Sequence, residues 1–145
     1  MFTPISMRFA NNMRSANAYQ NIGAETAVSG GSPHQLVSLL FEALLQSLVS
    51  TKGSMLNRDF ATKGRHIGRA VRIMEEGLKA SLDDEHGGDV AANLRSLYDI
   101  CIYKTTLANL RNDPALIDEI IQLIQPVADA WTQIRGQVTE RSYQA

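Results

Sequence analysis

The stretch that decides the fold is 82-LDDEHGGDVAANLRSLYDICIYKTTLANLRNDP-114, which runs from an acidic turn with a glycine pair, through a long apolar segment, to Asp-Pro. Within it Val90, Leu94, Leu97, Tyr98, Cys101, Ile102 and Thr105 recur at the i, i+4, i+7, i+8 spacing of one helical stripe. Ile100, Tyr103, Leu107 and Leu110 form a second apolar line on much of the opposite side, so the apolar surface is far wider than the single stripe of a surface helix. Such a helix is either central in a bundle or covered on its second side by something the chain does not supply. The flanks agree with a helix. Asp83, Asp84 and Glu85 suit the positive end of its dipole, and Gly87-Gly88 gives the chain room to turn. Asp113-Pro114 then sets a cap residue and a first-turn proline for the next helix.

Working outward, Ser32-Pro33-His34-Gln35 is a second helix start, with Ser as N-cap, Pro at the first helical position and Gln placed to complete a capping box. Leu36, Leu40, Ala43, Leu44 and Leu48 follow as one line, with Val37, Phe41, Leu45 and Val49 beside it. Met55 and Leu56 carry the pattern past Gly53, which predicts an end near Asn57. A helix over about 59–82 has Phe60, Gly64, Ile67, Val71, Met74 and Leu78 as its expected core line. Arg65, Arg69 and Arg72 lie on another side, either as a solvated face or as a seat for phosphate or an acidic partner. Gly64, Gly68 and Gly77 each weaken this helix by about 1 kcal/mol relative to alanine, so it is the element expected to bend. The last helix carries Leu116, Ile117, Ile120, Ile121, Leu123, Ile124, Val127, Ala128, Trp131 and Ile134, and Pro126 is expected to kink or break it. The expectation is an all-α fold: an antiparallel four-helix bundle over 32–137 with a kinked last helix. A mobile or short-helical N-terminal arm over 1–31, hinged at Ser29-Gly30-Gly31, precedes it, and a frayed tail over 138–145 ends it.

The 145 residues make one domain, and their 14 basic and 15 acidic side chains leave a net charge of −1. That balance supplies no field for gathering nucleic acid or anionic membrane. No unbroken apolar run exists for a membrane span or a secretory signal. The single Cys101 builds neither a disulfide framework nor a cysteine zinc site, and its place in the apolar stripe predicts a buried, inert thiol. A di-iron bundle needs Glu-x-x-His pairs, and none of His34, His66 or His86 has a glutamate three residues ahead. Asp83, Asp84, Glu85 and His86 lack the spacing of a calcium loop and read as a capping turn. Phosphate loops and the Gly-x-Ser-x-Gly elbow are missing. The chain is therefore expected not to be an enzyme and to need no cofactor or metal. Its functional signal is surplus apolar surface on the first, third and last helices, which suits another apolar helix or chain, or a second copy of itself.

Ser32-Pro33-His34-Gln35-Leu36, the run from Glu85 to Asp99 with its Gly-Gly-acidic-x-Ala-x-Asn-Leu-x-x-Leu-Tyr-Asp pattern, Ala108-Asn109-Leu110-Arg111-Asn112-Asp113 and Ala130-Trp131 together resemble the FliS family of bacterial flagellar export chaperones. The likeness covers roughly 19–134. It implies an antiparallel helical bundle in the cytoplasm that binds the C-terminal segment of flagellin, blocks premature polymerisation and presents the client to the flagellar type III export apparatus. The implied partners are flagellin, a cytoplasmic component of the export gate and, as a further possibility, a co-chaperone. The resemblance also implies that the arm, with Tyr19 and Ile22, covers the client groove in the free state. Stripe and resemblance together nominate Phe41, Leu44, Leu48, Leu94, Leu97, Tyr98 and Ile102 as apolar client contacts and Asn93 as a polar one. Each of the apolar ones is alternatively plain core.

Overall fold

The structure is a computed structural model that describes residues 32–144, with side chains through residue 134. The arm, including Tyr19 and Ile22, lies outside the described residues. Helix α1 spans Pro33–Leu56, and α2 spans Phe60–Arg72 and continues as a wider π-helical segment over Ile73–Leu78. Helix α3 spans Asp84–Arg111 and α4 spans Pro114–Gln144. All-α architecture is as the sequence predicts.

Each helix start has a residue that satisfies orphan backbone donors. The Ser32 hydroxyl accepts from the Gln35 amide at 3.1 Å, Asp59 from that of Thr62 at 3.2 Å, Asp83 from that of His86 at 3.1 Å and Asp113 from that of Ala115 at 3.0 Å. Helix α3 ends on Asn112 in the left-handed region at φ 50°, with the Asp113 amide donating to the Ala108 carbonyl at 3.1 Å.

Contacts between opposite ends make every neighbouring pair antiparallel. His34 meets Trp131 while Lys52 meets Asp118, so α1 and α4 run against each other. Gly77 abuts Leu40, Lys63 reaches Asn109 and Lys104 reaches Glu119, which orients α2 against α1, α3 against α2 and α4 against α3. Leu40, Leu44, Leu48, Met55, Ile73, Met74, Leu78, Cys101, Ile117, Ile120 and Ile124 fill the centre. Burial pushes the Cys101 thiol up to about 11, which keeps it protonated and unreactive.

Several buried groups are polar, and they are satisfied within their own helices. The hydroxyls of Ser47, Thr51 and Ser54 on α1 donate to the carbonyls of Ala43, Ser47 and Ser50 at 2.8, 2.7 and 3.0 Å, and Thr105 on α3 donates to that of Cys101 at 2.7 Å. Lys63 is also buried. Its ammonium donates to the Asn109 carbonyl and the Asn112 side chain, both at 3.3 Å, so a cation sits on the negative end of α3.

Two expected core positions need correction, and the last helix is continuous. Phe60 is not on the core line: it opens α2 at the bundle's end, half exposed, with the Lys63 ammonium 4.9 Å and the Arg58 guanidinium 5.7 Å from its ring centre. The buried line of α2 is instead Lys63, Ile67 and Ala70. Val90 is 66% exposed: it stands in the first turn of regular helix after Gly88, which interrupts the helix at φ 52°, ψ −129°, while the adjacent Ala91 is buried. Pro126 does not break α4. Its ring faces solvent, as does Gln122, whose carbonyl loses its helical donor to the proline and is left to water. Helix α4 runs on past Gly136 to Gln144.

The glycines of α2 divide by environment. A Cβ on Gly77 would stand 3.1 Å from both methyls of the fully buried Leu40, so this glycine permits close helix approach. Gly64 has nothing within 4 Å of that position. Gly64→Ala is expected to raise stability by about 0.5 to 1 kcal/mol. Gly77→Val, which forces methyls into Leu40, is expected to lower it by about 1 to 3 kcal/mol. Urea midpoints of the two variants on either side of the wild type would check both signs; equal shifts would disprove the packing assignment for Gly77.

Candidate functional site

The Gly-Gly run before the α3 stripe has a structural reason at each step. The Gly87 Cα approaches so near Ala91 that a Cβ there would lie 2.6 Å from the alanine methyl. Gly88 holds a positive φ that side chains rarely adopt. Arg95 then pairs with Asp84 at 2.7 Å, tying the first turn of α3 to the helix body. Asp99 pairs with the Lys79 ammonium at 2.7 Å, tying α3 to the chain leaving α2. That carboxylate, together with Glu75, raises the Lys79 pKa above its ordinary value.

This anchoring frames an apolar hollow at the end of the bundle where α1 starts, beside Val127 and Trp131 of α4. Val37, Phe41, Leu78, Leu82, Leu94, Tyr98, Val127 and Trp131 line it, with Ser81 at its edge. Burial also raises the Tyr98 phenol well above its ordinary pKa, so the ring stays neutral. A second hollow of about 220 Å³ lies between α1 and α4, lined by Ser38, Phe41, Glu42, Leu45, Gln125, Ala128, Asp129 and Thr132. Phe41 stands between the two.

A clasp holds Trp131, one wall of the first hollow. The rings of His34 and Trp131 stack 4.4 Å apart at 7°, His34 Nε2 donates to the Trp131 carbonyl at 2.8 Å, and Trp131 Nε1 donates to the His34 carbonyl at 3.0 Å. Neither residue was nominated as a client contact. Their pairing spans most of the chain, and only the separate appearance of each in the helix-start and Ala-Trp motifs hinted at it.

The nominated residues fall into three groups. Leu44 and Leu48 are wholly enclosed by neighbouring helices and belong to the core, because their line on α1 faces α2 and α4 together. Phe41 and Tyr98 are buried but line the hollows. Leu94, Leu97 and Ile102 are half buried, and Asn93 is exposed beside them. The second apolar line of α3 resolves the choice left by the sequence. The helix is not central: Ile100 is 49%, Tyr103 68% and Leu110 79% exposed, with Leu107 half buried along the same side. The described residues leave that side of α3 uncovered, and they hold no group of His, Cys, Asp or Glu that could take a metal ion. No described helix is long and apolar enough to cross a membrane.

The chain matches the family described as "Flagellar protein FliS" over residues 15–138. It belongs to the FliS family. A relative from Salmonella typhimurium named "Flagellar secretion chaperone FliS" is 42% identical over 117 residues, covering 81% of this chain and 87% of the relative. Relatives of the same name from Escherichia coli and Vibrio cholerae are 37% and 35% identical over 120 residues, each alignment covering 83% of this chain and 88% of the relative. The FliS match covers α1 to α3 and α4 as far as residue 138, including the glycine pair, the α3 stripe and the clasp.

Proposed function

We propose that this FliS-family chain is a cytosolic flagellar secretion chaperone, without catalytic activity, that binds the C-terminal segment of flagellin. It keeps the client from polymerising prematurely and presents it to the flagellar type III export gate. The observation that carries the reading is the uncovered apolar side of α3, where Ile100, Tyr103 and Leu110 face solvent. Isolated exposed leucines are ordinary, but a continuous apolar line along one helix marks a binding surface. An amphipathic client helix lying along that line would meet Leu97 and Ile102 at its margins, Asn93 as a polar stop, and Leu94 where the stripe reaches the hollow. Phe41 and Tyr98 form the hollow's floor, while Leu44 and Leu48 act as core behind it. The arm, through Tyr19 and Ile22, covers this surface in the free protein.

A client that folds as it binds buries about 1,000 to 3,000 Å² and spends about 2 to 5 kcal/mol on ordering, which leaves a complex both specific and releasable. Calorimetric titration of the full chain with a peptide spanning the flagellin C-terminal segment of the same organism tests the reading. One-to-one binding with a negative heat-capacity change is expected, weakened at least about tenfold by Leu97→Glu with Ile100→Glu, and strengthened by removing residues 1–31. Absence of binding by both the full and the shortened chain would overturn the assignment. Undiminished binding by the double variant would move the client off α3.

A further inference from the structure

The outward face of α2 has a charge pattern that the client surface does not use. Residues 58–72 contain five cations, Arg58, Lys63, Arg65, Arg69 and Arg72, against one acid, Asp59, in a chain whose net charge is −1. Elsewhere four of the five described lysines and arginines have carboxylate partners, Arg111 being the exception: Lys52 pairs with Asp118 at 2.9 Å, Lys79 with Asp99 at 2.7 Å, Arg95 with Asp84 at 2.7 Å and Lys104 with Glu119 at 3.1 Å. Among the described residues Arg65, Arg69 and Arg72 form no ion pair. Arg65 donates to the Thr62 hydroxyl at 3.2 Å and is near enough to Asp59 to help lower its pKa without pairing with it, and Arg69 Nε is shielded from solvent without a hydrogen-bond partner. Glu76, one turn beyond Arg72, makes no ion pair with it.

These arginines stand at i, i+4 and i+7, on the side of α2 opposite buried Lys63, Ile67 and Ala70. Like charges at such spacing destabilise a helix. Ala61, Gly64 and Gly68 share this side, and the two glycines weaken the helix further. Leu40 explains Gly77, but no neighbouring helix explains these two: a Cβ on Gly64 meets nothing within 4 Å, and one on Gly68 meets only the Arg72 guanidinium at 3.9 Å. Unpaired guanidinia and a flat backbone floor therefore coincide on one face, and each disfavours the isolated helix.

We propose that the Arg65, Arg69 and Arg72 face of α2 docks an acidic helical segment of a partner protein, at a surface separate from the client line on α3. The three arginines cover about 10 Å of helix, the span over which glutamates at i, i+4 and i+7 recur. Guanidinium forks match carboxylates in bidentate geometry, and the small residues let the partner's backbone come close. Nucleic acid fits less well, since Glu75 and Glu76 follow directly on the same helix and the whole chain offers no positive field.

The test uses the full isotope-labelled chain and three probes: an alanine-based helical peptide with glutamates at i, i+4, i+7 and i+11, a peptide of the same composition with its glutamates spread around the helix, and a short DNA duplex. The striped peptide is expected to shift the amide resonances of residues 61–72. Its affinity should fall at least about tenfold in Arg65→Gln/Arg69→Gln/Arg72→Gln and also in Gly68→Leu, which keeps every charge but fills the floor. Unchanged circular dichroism and a thermal midpoint no lower than that of the wild type would confirm that both variants fold. The proposal is overturned if no peptide binds, if the two peptides bind alike, if Gly68→Leu binds as the wild type does, or if the duplex binds more tightly than the striped peptide.

Discussion

Leu44→Ala is expected to destabilise the free chain by about 2 to 5 kcal/mol, the range for emptying a fully enclosed leucine site. Leu44 has no solvent exposure and packs within the cluster that joins α1 to α2 and α4. The measurement is a urea titration without client, in which the midpoint falls while the slope stays constant. A leucine that served the client directly would behave in the opposite way, leaving stability near the wild-type value and weakening only the complex. A loss below about 0.5 kcal/mol, the usual size of a surface effect, would return Leu44 to the client surface.

The second large effect is at the clasp. Trp131→Ala is expected to cost about 3 kcal/mol, the lower end for truncating a large aromatic, since this ring is only half buried. His34→Ala removes the same stack but a different hydrogen bond, the one from Nε2 to the Trp131 carbonyl, whereas Trp131→Ala loses the one from Nε1 to the His34 carbonyl, so the two losses overlap in the stack alone. A double-mutant cycle should therefore give an interaction energy of about 0.5 to 1.5 kcal/mol. Additivity within about 0.5 kcal/mol would mean that the stacked rings contribute nothing jointly. Trp131→Phe keeps an aromatic face but no N–H, and should fall between the wild type and the alanine variant.

Most of the fold was legible because it rests on local rules. Ser32-Pro33, Asp83 and Asp113-Pro114 announce three helix starts, and the structure places caps at all three. What the sequence could not show was which positions on a stripe find a neighbour. Periodicity put Val90 on the inner stripe of α3, but in the first turn after Gly88 it is left exposed while Ala91 is buried. Phe60 had the hydrophobicity of a core residue, but the end of a bundle has no neighbour to cover it, while Lys63 took an inner place by capping another helix. Pro126 had a known local cost, but the exposure that makes it tolerable is a property of the assembled bundle. At the candidate surface, Leu94, Leu97 and Ile102 are half buried, whereas Leu44 and Leu48, read as client contacts or plain core, are fully enclosed. One line of apolar residues cannot say which of two neighbours it faces.

The hydroxyls of Ser47, Thr51 and Ser54 give the two halves of α1 different mechanical characters. At its start the helix is pinned to α4 by the directional clasp of His34 and Trp131, which leaves two donors unmet if it opens. Farther along, the buried polar groups already have their partners inside α1. Drawing that half away from its neighbours strands none of those three hydroxyls, so resistance there comes from apolar contact and the part-exposed Lys52–Asp118 pair. One end of α1 behaves as a latch and the other as a grease joint, loosened in small increments and closing again without a search for lost partners.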